Sequence, residues 1–339
     1  MPDVTDQVQK TLEAIIDRLN RWKQPVIVGH VVPDADCLGS MLAIARAWAG
    51  NGVVPRVALP DGCVSQRLGF MVEAAQIPVA TAEDFANADG FVAVDTAKKS
   101  RCNVGPHTPE SWADGRELIN IDHHSTNTRF GELNWIVDTA SSAAEMAHGL
   151  IRHSGRNIDS TVAMLLYCGI HADTGGFSLP MTSPNTLEAG AHLVKCGANV
   201  PLIGEQLCRS QRLNEFNLLR TIYANTRLVA DGRIAYSTAS YDEITGAGCA
   251  AADIDDQVGV PRSLQGIRIA MLFSEGNPGK IRINFRGEGG LDVLSLAQQV
   301  GGGGHRESAG AVAEGSLEEV VKRVVAMATD YIDKECSTV

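Results

Sequence analysis

The sequence predicts an α/β protein, in which an N-terminal domain with a mostly parallel sheet is joined by a helical connector to a smaller α+β domain. Three observations predict this architecture. Short apolar runs alternate with helical patterns in the first half of the chain, which is typical of a parallel sheet buried on both faces. Helical spacing then continues through residues 200–227, and three β-rich runs follow. The 339 residues suffice for two cores, so we place domains at 1–195 and 229–339 and the connector at 196–228.

The elements of the N-terminal domain follow from its apolar pattern. An amphipathic helix comes first, with Leu12, Ile15 and Leu19 on one face. Strands are predicted where apolar β-formers run together, and helices where apolar residues recur every three or four positions. The strands are expected at 26–28, 53–59, 91–94 and 118–121, and the helices at 38–50, 141–154, 160–170 and 186–195.

The connector and the second domain have a different pattern. Leu207, Leu218 and Ile222 fit helical spacing across the connector. Beyond it, strands are expected at 233–240, 267–274 and 280–286, and helices at 292–300 and 317–331. Two strands that follow each other without an intervening helix indicate an α+β domain rather than a second alternating one.

Charge limits the kinds of partner. The chain has a formal net charge of −11, which argues against a surface that tracks long duplex nucleic acid by neutralising phosphates. Residues 261–306 nevertheless contain six basic residues against three acidic ones. This local excess fits a pocket for a short, terminally phosphorylated substrate, and a solvated strand face is the alternative.

The sequence predicts a cytoplasmic protein. Its opening is polar and lacks a signal-peptide pattern, and no apolar run approaches the length that spans a bilayer. The eight cysteines form no CxxC pair and no dense framework, so a reducing compartment is expected.

Polar residues follow the predicted strands of the first domain. His30, Asp34 and Asp36 come after the first strand, Asp95 ends another, and Asp122-His123-His124 ends the next. Side chains beyond the carboxyl ends of parallel strands lie at one edge of the sheet. A cluster of carboxylates there is costly unless cations neutralise it. A further acidic residue, Asp173 in the stretch His171-Ala-Asp-Thr-Gly-Gly, is expected to join them.

About six ligands exceed the three protein ligands of a typical catalytic zinc, so the pattern predicts two metal ions. Carboxylate and imidazole donors favour Mn²⁺, with Mg²⁺ and Zn²⁺ as alternatives. Two such ions can activate a water and neutralise phosphoryl oxygens, which indicates phosphoester hydrolysis. Taken singly, each residue has a structural alternative: Asp34 or Asp36 as a helix cap, Asp95 as a cap, and Asp173 as a helix breaker.

A run of four glycines, Gly301 to Gly304, precedes His305. One glycine would be enough to end the preceding helix. Four in succession favour a loop whose backbone comes close to a ligand and whose N–H groups receive an anion.

Taken in order, these motifs resemble those of the DHH phosphoesterase family, in the branch with a C-terminal DHHA1 domain. The resemblance covers residues 25–311. It implies that the first domain is a DHH catalytic domain. It also implies the following roles: His30 and Asp34 hold one metal, Asp36, His123 and Asp173 hold the other, Asp95 bridges them, Asp122 orients an imidazole, and His124 faces the substrate phosphate.

In the second domain, the resemblance implies a substrate-binding DHHA1 site. Its residues would be Arg286, Gly302, Gly303, Gly304 and His305. The chain departs from the family pattern at several places: Ala35 replaces a glycine, Cys37 a smaller residue, Gly287 a serine and Ser308 an alanine. The metal ligands are intact, whereas the lost serine hydroxyl changes the expected contacts with substrate.

The resemblance implies a metal-dependent hydrolase that acts on short nucleotides, of the stand-alone type that degrades oligoribonucleotides and 3′-phosphoadenosine 5′-phosphate. Cyclic or linear dinucleotide phosphodiesterases with the same two domains are the first alternative. A non-catalytic nucleotide sensor is the alternative of another class. The family also suggests a homodimer, and no membrane partner is expected.

Overall fold

The computed structural model describes residues 6–105 and 112–337, and the other residues of the predicted domains lie outside this description. The chain forms two compact units, Met1–Ser210 and Gln211–Val339. The division falls inside the predicted connector, whose two halves therefore pack with different units.

The sheet of the first unit is wholly parallel, which confirms the predicted N-terminal sheet. Its strand order is β2-β1-β3-β4-β5. The register aligns the carboxyl ends of the central strands, because Val28 pairs with Ala93 and Val94 pairs with Ile121. The strands are β1 (Pro25–Val28), β2 (Arg56–Val57), β3 (Gly90–Val94), β4 (Glu117–Asp122) and β5 (Leu133–Ile136).

Strand β2 is shorter than the predicted strand at 53–59. Pro55 and Pro60 flank it, and proline cannot donate a ladder hydrogen bond. The strand lies at the edge of the sheet, where such residues are tolerated.

Helices cover the sheet of the first unit and bury its core. Leu38, Leu42 and Leu165 are buried where α2 (Ala35–Trp48) and α6 (Ser160–Asp173) pack together. None of the helices in the described ranges has the length and apolarity needed to cross a membrane. The helices are α1 (Asp6–Arg21), α2 (Ala35–Trp48), α3 (Gly69–Ala75), α4 (Ala82–Asn87), α5 (Ala143–His153), α6 (Ser160–Asp173), α7 (Pro184–Lys195) and α8 (Val200–Cys208).

The second unit has a six-stranded sheet in the order β10-β11-β9-β8-β7-β6. Strands β7 and β8 pair in parallel, and the other neighbours are antiparallel. The strands are β6 (Arg227–Val229), β7 (Ile234–Ala239), β8 (Ile269–Asn277), β9 (Lys280–Gly287), β10 (Gly303–Gly304) and β11 (Ser308–Glu314). The helices are α9 (Leu213–Ala224), α10 (Tyr241–Gly246), α11 (Gly259–Arg262), α12 (Leu294–Gln299) and α13 (Leu317–Ser337).

One apolar core of the second unit lies between its sheet and helices α12 and α13. Phe273, Phe285 and Val324 are fully buried there. The predicted strands at 233–240, 267–274 and 280–286 are present, but β6, β10 and β11 were not predicted. Alanine and glycine make up most of β10 and β11, and these residues have low strand propensity.

Candidate metal centre

Three strands of the parallel sheet deliver polar side chains to one edge. His30 follows β1, Asp95 follows β3, and Asp122 is the last residue of β4. The backbone N–H of Asp95 donates to the carbonyl of Ile121 at 3.0 Å, which holds the ends of β3 and β4 together. The predicted convergence at the carboxyl edge therefore occurs.

The first turn of α2 fixes two further carboxylates. Asp34 is the N-cap, and its Oδ1 accepts from the N–H groups of Asp36 and Cys37, both at 3.0 Å. Asp36 is fully buried. Its oxygens accept from the N–H groups of Ala143 at 2.7 Å and Ala144 at 2.8 Å, in the first turn of α5. These donors and the positive end of the helix dipole stabilise a carboxylate that burial would otherwise disfavour.

Asp95 lies between two groups of side chains. Its Oδ2 is 3.4 Å from His30 Nε2, and that nitrogen is 3.7 Å from Asp34 Oδ2. Its Oδ1 is 3.4 Å from His123 Nε2, and this second imidazole lies 3.3 Å from Asp173 Oδ2. The two oxygens of one buried carboxylate thus face two separate imidazoles.

Asp36 completes the second group. Its Oδ2 is 3.8 Å from His123 Nε2. One ligand atom from each of Asp36, Asp95 and His123 can be chosen so that all three lie within 4.8 Å of one another, a spacing that one metal ion can bridge. The structure therefore brings all six predicted ligands together, and their assignment to individual ions stays a prediction.

Asp122 contacts the two residues that follow it. Its Oδ1 accepts from the backbone N–H of His123 at 2.9 Å and from Nδ1 of His124 at 2.7 Å. Its Oδ2 accepts from Nδ2 of Asn127 at 2.6 Å. The carboxylate itself is fully buried, so it acts as a hydrogen-bond acceptor that orients the His124 ring.

Electrostatics of the metal-free site favour positive charge on two buried imidazoles. Burial acts to lower the pKa of His123, but Asp95, Asp173 and Asp36 raise it well above its usual value. Burial also acts to lower the pKa of His30, but the neighbouring carboxylates of Asp34 and Asp95 raise it well above that value. Both imidazoles therefore retain protons where carboxylates crowd around them.

The carboxylates respond in opposite directions. Burial acts to raise the pKa of Asp95, but His123 and His30 hold it well below its usual value. Burial, with the neighbouring charges of Asp173 and Asp95, raises the pKa of Asp36 well above that value. Burial raises the pKa of Asp173 to about 7, against the opposing influence of His123. In the metal-free site, burial and the neighbouring carboxylates therefore outweigh the two α5 N–H donors at Asp36 and favour its protonated form.

The donor set fits divalent cations. Carboxylate oxygens suit Mn²⁺ and Mg²⁺, and imidazole nitrogens suit divalent transition metals. Two buried atoms, Asp95 Oδ1 and His30 Nδ1, have no hydrogen-bond partner within 6–105 and 112–337. The buried carboxylates of Asp36 and Asp95 also need neutralisation, which a metal would supply in place of protons.

Cys37 lies beside this cluster. Its sulfur accepts from the backbone N–H of His30 at 3.3 Å, and its side chain is fully buried. Burial raises the pKa of the thiol to about 12. The thiol is therefore neutral at physiological pH.

In the second unit, the sheet register places the predicted substrate residues at one end of the sheet. Arg286 on β9 pairs with Ser308 on β11, and Gly304 on β10 pairs with Ala309 on the same strand. The N–H of His305 donates to the carbonyl of Ser308 at 2.7 Å and closes the β10–β11 hairpin. Arg286 and the glycine run are thus one strand apart.

The glycines of this run differ in what requires them. A Cβ at Gly302 would lie 2.2 Å from the carbonyl oxygen of Gly310, which the fold cannot accommodate. Gly304 has a φ of 137°, and a Cβ there would lie 2.6 Å from the carbonyl oxygen of Ser308. A Cβ at Gly303 would have no heavy atom of the described residues within 4 Å. The fold therefore explains Gly302 and Gly304, whereas Gly303 leaves room for a ligand.

The sequence did not predict the groups that form supporting hydrogen bonds to the acidic residues of the cluster. Asn127 and Asn120 form hydrogen bonds around Asp122, and the N–H groups of Ala143 and Ala144 hold Asp36. Asn127 could have been noticed as a polar residue shortly after Asp-His-His. Every residue except proline has a backbone N–H group, so the sequence does not show which of these groups contacts Asp36.

Two domain profiles match the chain. The DHH family, N-terminal domain, matches residues 24–170, and the DHHA1 domain matches residues 231–334. The chain is 30% identical over 319 residues to the bifunctional oligoribonuclease and PAP phosphatase NrnA of Thermus thermophilus, covering 93% of this chain and 92% of that protein. It is 24% identical over 335 residues to the cyclic-di-AMP phosphodiesterase PdeA of Listeria monocytogenes, covering 94% of this chain and 49% of that protein.

A solved structure has the same fold. The crystal structure of an exopolyphosphatase-related protein from Bacteroides fragilis matches with a TM-score of 0.84 at 22% identity, covering 95% of this chain and 96% of that one. Fold and homology together define a phosphoesterase that uses divalent metal ions. The chain belongs to the DHH family and carries a C-terminal DHHA1 domain, as the order of its motifs predicted.

Proposed function

We propose that this protein hydrolyses phosphoester bonds in short nucleotides, namely oligoribonucleotides of a few residues and 3′-phosphoadenosine 5′-phosphate. The Thermus thermophilus relative, which is named as a bifunctional oligoribonuclease and PAP phosphatase, supports both substrates. We place the activity in the cytoplasm, with two Mn²⁺ ions as the expected cofactors. The overall negative charge supports short substrates over long duplexes.

The position of Asp95 is the observation that most strongly supports this proposal. Its two oxygens each lie 3.4 Å from a different imidazole, one belonging to His30 and one to His123. A buried carboxylate with one oxygen toward each group is suited to bridge two cations. When bound, two divalent cations would supply charge for the phosphoryl oxygens and lower the pKa of the attacking water.

The protein's own residues position the reaction. His30 and Asp34 would hold one ion, and Asp36, His123 and Asp173 the other, with Asp95 between them. Nδ1 of His124 faces Asp122, so Nε2 would be the ring atom that faces a substrate phosphate. Asp36 stays in place because two backbone N–H groups of α5 hold it.

The second unit would bind the substrate. Arg286 would form paired hydrogen bonds with a phosphate, as the planar guanidinium allows. Gly303 would let a phosphate come close to the backbone, and His305 would contact the same group. The domain limits 1–195, 196–228 and 229–339 remain our functional division of the chain.

One panel of substrates tests the proposed function. Turnover with Mn²⁺ would be measured on 3′-phosphoadenosine 5′-phosphate, a 5′-phosphorylated dinucleotide, a cyclic dinucleotide, a longer RNA and pyrophosphate. We expect the first two to have the highest kcat/KM. Preference for pyrophosphate or the longer RNA would contradict the proposal.

A cyclic-dinucleotide phosphodiesterase is the second candidate, because the Listeria monocytogenes relative is named as one. The same panel decides between the two: a cyclic dinucleotide hydrolysed faster than the linear substrates would favour this candidate. Binding without turnover of any member of the panel would instead favour a nucleotide sensor.

A further inference from the structure

Asn127 lies at the centre of a hydrogen-bond network behind the Asp-His-His segment. Its Nδ2 donates to Asp122 Oδ2 at 2.6 Å and is 2.8 Å from Asn120 Oδ1 and 3.1 Å from the carbonyl of Thr96. Its Oδ1 accepts from the N–H of Arg129 at 2.6 Å, which fixes which end of the amide faces Asp122. The side chain therefore presents a donor, in one orientation, to a buried carboxylate.

The same side chain connects the loops after two strands. Thr96 follows Asp95 at the end of β3, and its carbonyl also accepts from Nδ2 of Asn120 on β4 at 3.2 Å. The backbone N–H of Asn127 donates to the carbonyl of His124 at 3.1 Å and closes a turn. Asn127 thus contacts the segments that carry both the central carboxylate and the Asp-His-His residues.

Asp122 connects the Asn127 side chain to His124 through its two carboxylate oxygens. One carboxylate oxygen receives the Asn127 amide, and the other receives both the backbone N–H of His123 at 2.9 Å and His124 Nδ1 at 2.7 Å. A carboxylate can rotate about its terminal torsion unless both oxygens are held. Fixing Oδ2 therefore fixes the direction in which Oδ1 receives the imidazole.

We propose that Asn127 is a positioning residue, which holds Asp122 so that the His124 ring keeps one orientation toward the substrate phosphate. This inference rests on the proposed function for the role of His124. It concerns a residue outside the proposed metal-ligand and substrate-binding sets. Removing a residue that orients a functional side chain through hydrogen bonds typically lowers activity by about 10–100-fold.

Two variants distinguish a role of Asn127 in positioning His124 from a role in stabilising its own loop. Asn127→Ala removes the side-chain donor and acceptor. Asn127→Asp keeps the Oδ1 acceptor for the Arg129 N–H but places a second carboxylate oxygen against Asp122. We expect both to lower kcat/KM about 10–100-fold, with Asn127→Asp at least as damaging. Full activity in the aspartate variant would overturn the proposal.

A double-mutant cycle tests whether Asn127 affects activity through His124. In the His124→Ala background, we expect Asn127→Ala to change kcat/KM by less than about twofold, because the ring it positions is gone. An equal loss in both backgrounds would assign Asn127 a role that does not pass through His124 and would overturn the proposal. Asn134→Ala is the matched control, since that amide bridges a turn at Gly131 without contacting Asp122.

A spectroscopic measurement makes the test independent of catalysis. The ring ¹⁵N resonances of His124 would be recorded in the metal-free protein, with His124→Ala used for assignment. We expect Asn127→Ala to shift and broaden these resonances, and Asn134→Ala to leave them unchanged. Identical His124 spectra in wild type and Asn127→Ala would overturn the proposal that Asn127 positions this ring, whichever substrate the enzyme uses. Loss of the proposed function would appear separately, as a wild-type protein that turns over no short nucleotide.

Discussion

The metal cluster and the glycine run have different physical requirements. The cluster gathers charged side chains from five segments of the first unit, and Asp36 and Asp122 within it are fully buried. The glycine run is one continuous stretch of the second unit, and it offers backbone groups without charge. The cluster therefore depends on neutralisation, whereas the glycine run depends on steric space.

This difference predicts different consequences of substitution. A change in the cluster alters charge balance, so its effects should depend on metal and pH. A change in the glycine run alters shape, so its effects should depend on which glycine is replaced. Five predictions test the contrast, in order of expected size.

Replacing Asp95 by asparagine should have the largest effect. Asparagine keeps the shape and tolerates the positive φ of 53° at this position, but it lacks the charge that both imidazoles face. We expect kcat to fall by about a thousandfold or more, as for other residues at the centre of a catalytic unit. Steady-state assays with Mn²⁺ check the rate, and calorimetry should show weakened Mn²⁺ binding. Normal turnover by a folded Asp95→Asn protein would refute the role of this cluster in catalysis.

Metal removal should destabilise the first unit. Mn²⁺ at about one hundred times its dissociation constant would add about 2.7 kcal/mol to the free energy of unfolding. Chelator-treated and Mn²⁺-loaded protein would be compared by urea unfolding. Coincident unfolding curves would contradict a metal-binding cluster.

The pH dependence of this effect has a definite sign. Asp173 has a folded pKa raised to about 7 from an ordinary value of 3.8, so in the metal-free state its contribution to stability is present at low pH and is lost as the pH rises through about 7. Mn²⁺ takes the place of that proton. The stabilisation by Mn²⁺ should therefore grow between about pH 4 and pH 7, and a gain that shrinks over this window would be inconsistent with the cluster.

Gly302→Ala should destabilise the second unit. The added Cβ would lie 2.2 Å from a backbone oxygen, so strands β10 and β11 would have to move apart. Such overpacking costs about 1–3 kcal/mol, measurable by urea unfolding. An unchanged free energy of unfolding would show that the hairpin adjusts freely.

Gly303→Ala should have the smallest effect on folding and a selective effect on binding. Since a Cβ there meets no described atom within 4 Å, the free energy of unfolding should be unchanged. We expect KM for 3′-phosphoadenosine 5′-phosphate to rise about tenfold, equivalent to about 1.4 kcal/mol, because the methyl group would keep the phosphate from the backbone. A variant with wild-type KM would remove Gly303 from the binding site.

The sequence allowed prediction of those parts of the site that depend on local pattern. The ends of β1, β3 and β4 follow apolar runs, so His30, Asp95 and Asp122 could be expected at one sheet edge. A helix after Asp34 was also expected, because aspartate is a common N-cap, but it begins at Ala35 rather than at the predicted residue 38.

Other parts required the tertiary structure. The α5 N–H groups that hold Asp36 come from residues more than a hundred positions later, and any residue except proline supplies such a group. Strand β11 could not be predicted from its alanines and glycines, because pairing with β9 rather than strand propensity forms it. The extent of β2 was overestimated because edge position and flanking prolines outweigh an apolar pattern.

The buried thiol of Cys37 has a consequence for the chemical resistance of the protein. Thiolate is the form that alkylating agents and peroxide attack, and a pKa of about 12 leaves only about one sulfur in 10⁵ ionised at pH 7. The side chain is also inaccessible to solvent. Although a cysteine stands next to the catalytic cluster, the intact fold should therefore tolerate iodoacetamide and mild oxidants without loss of activity through this residue.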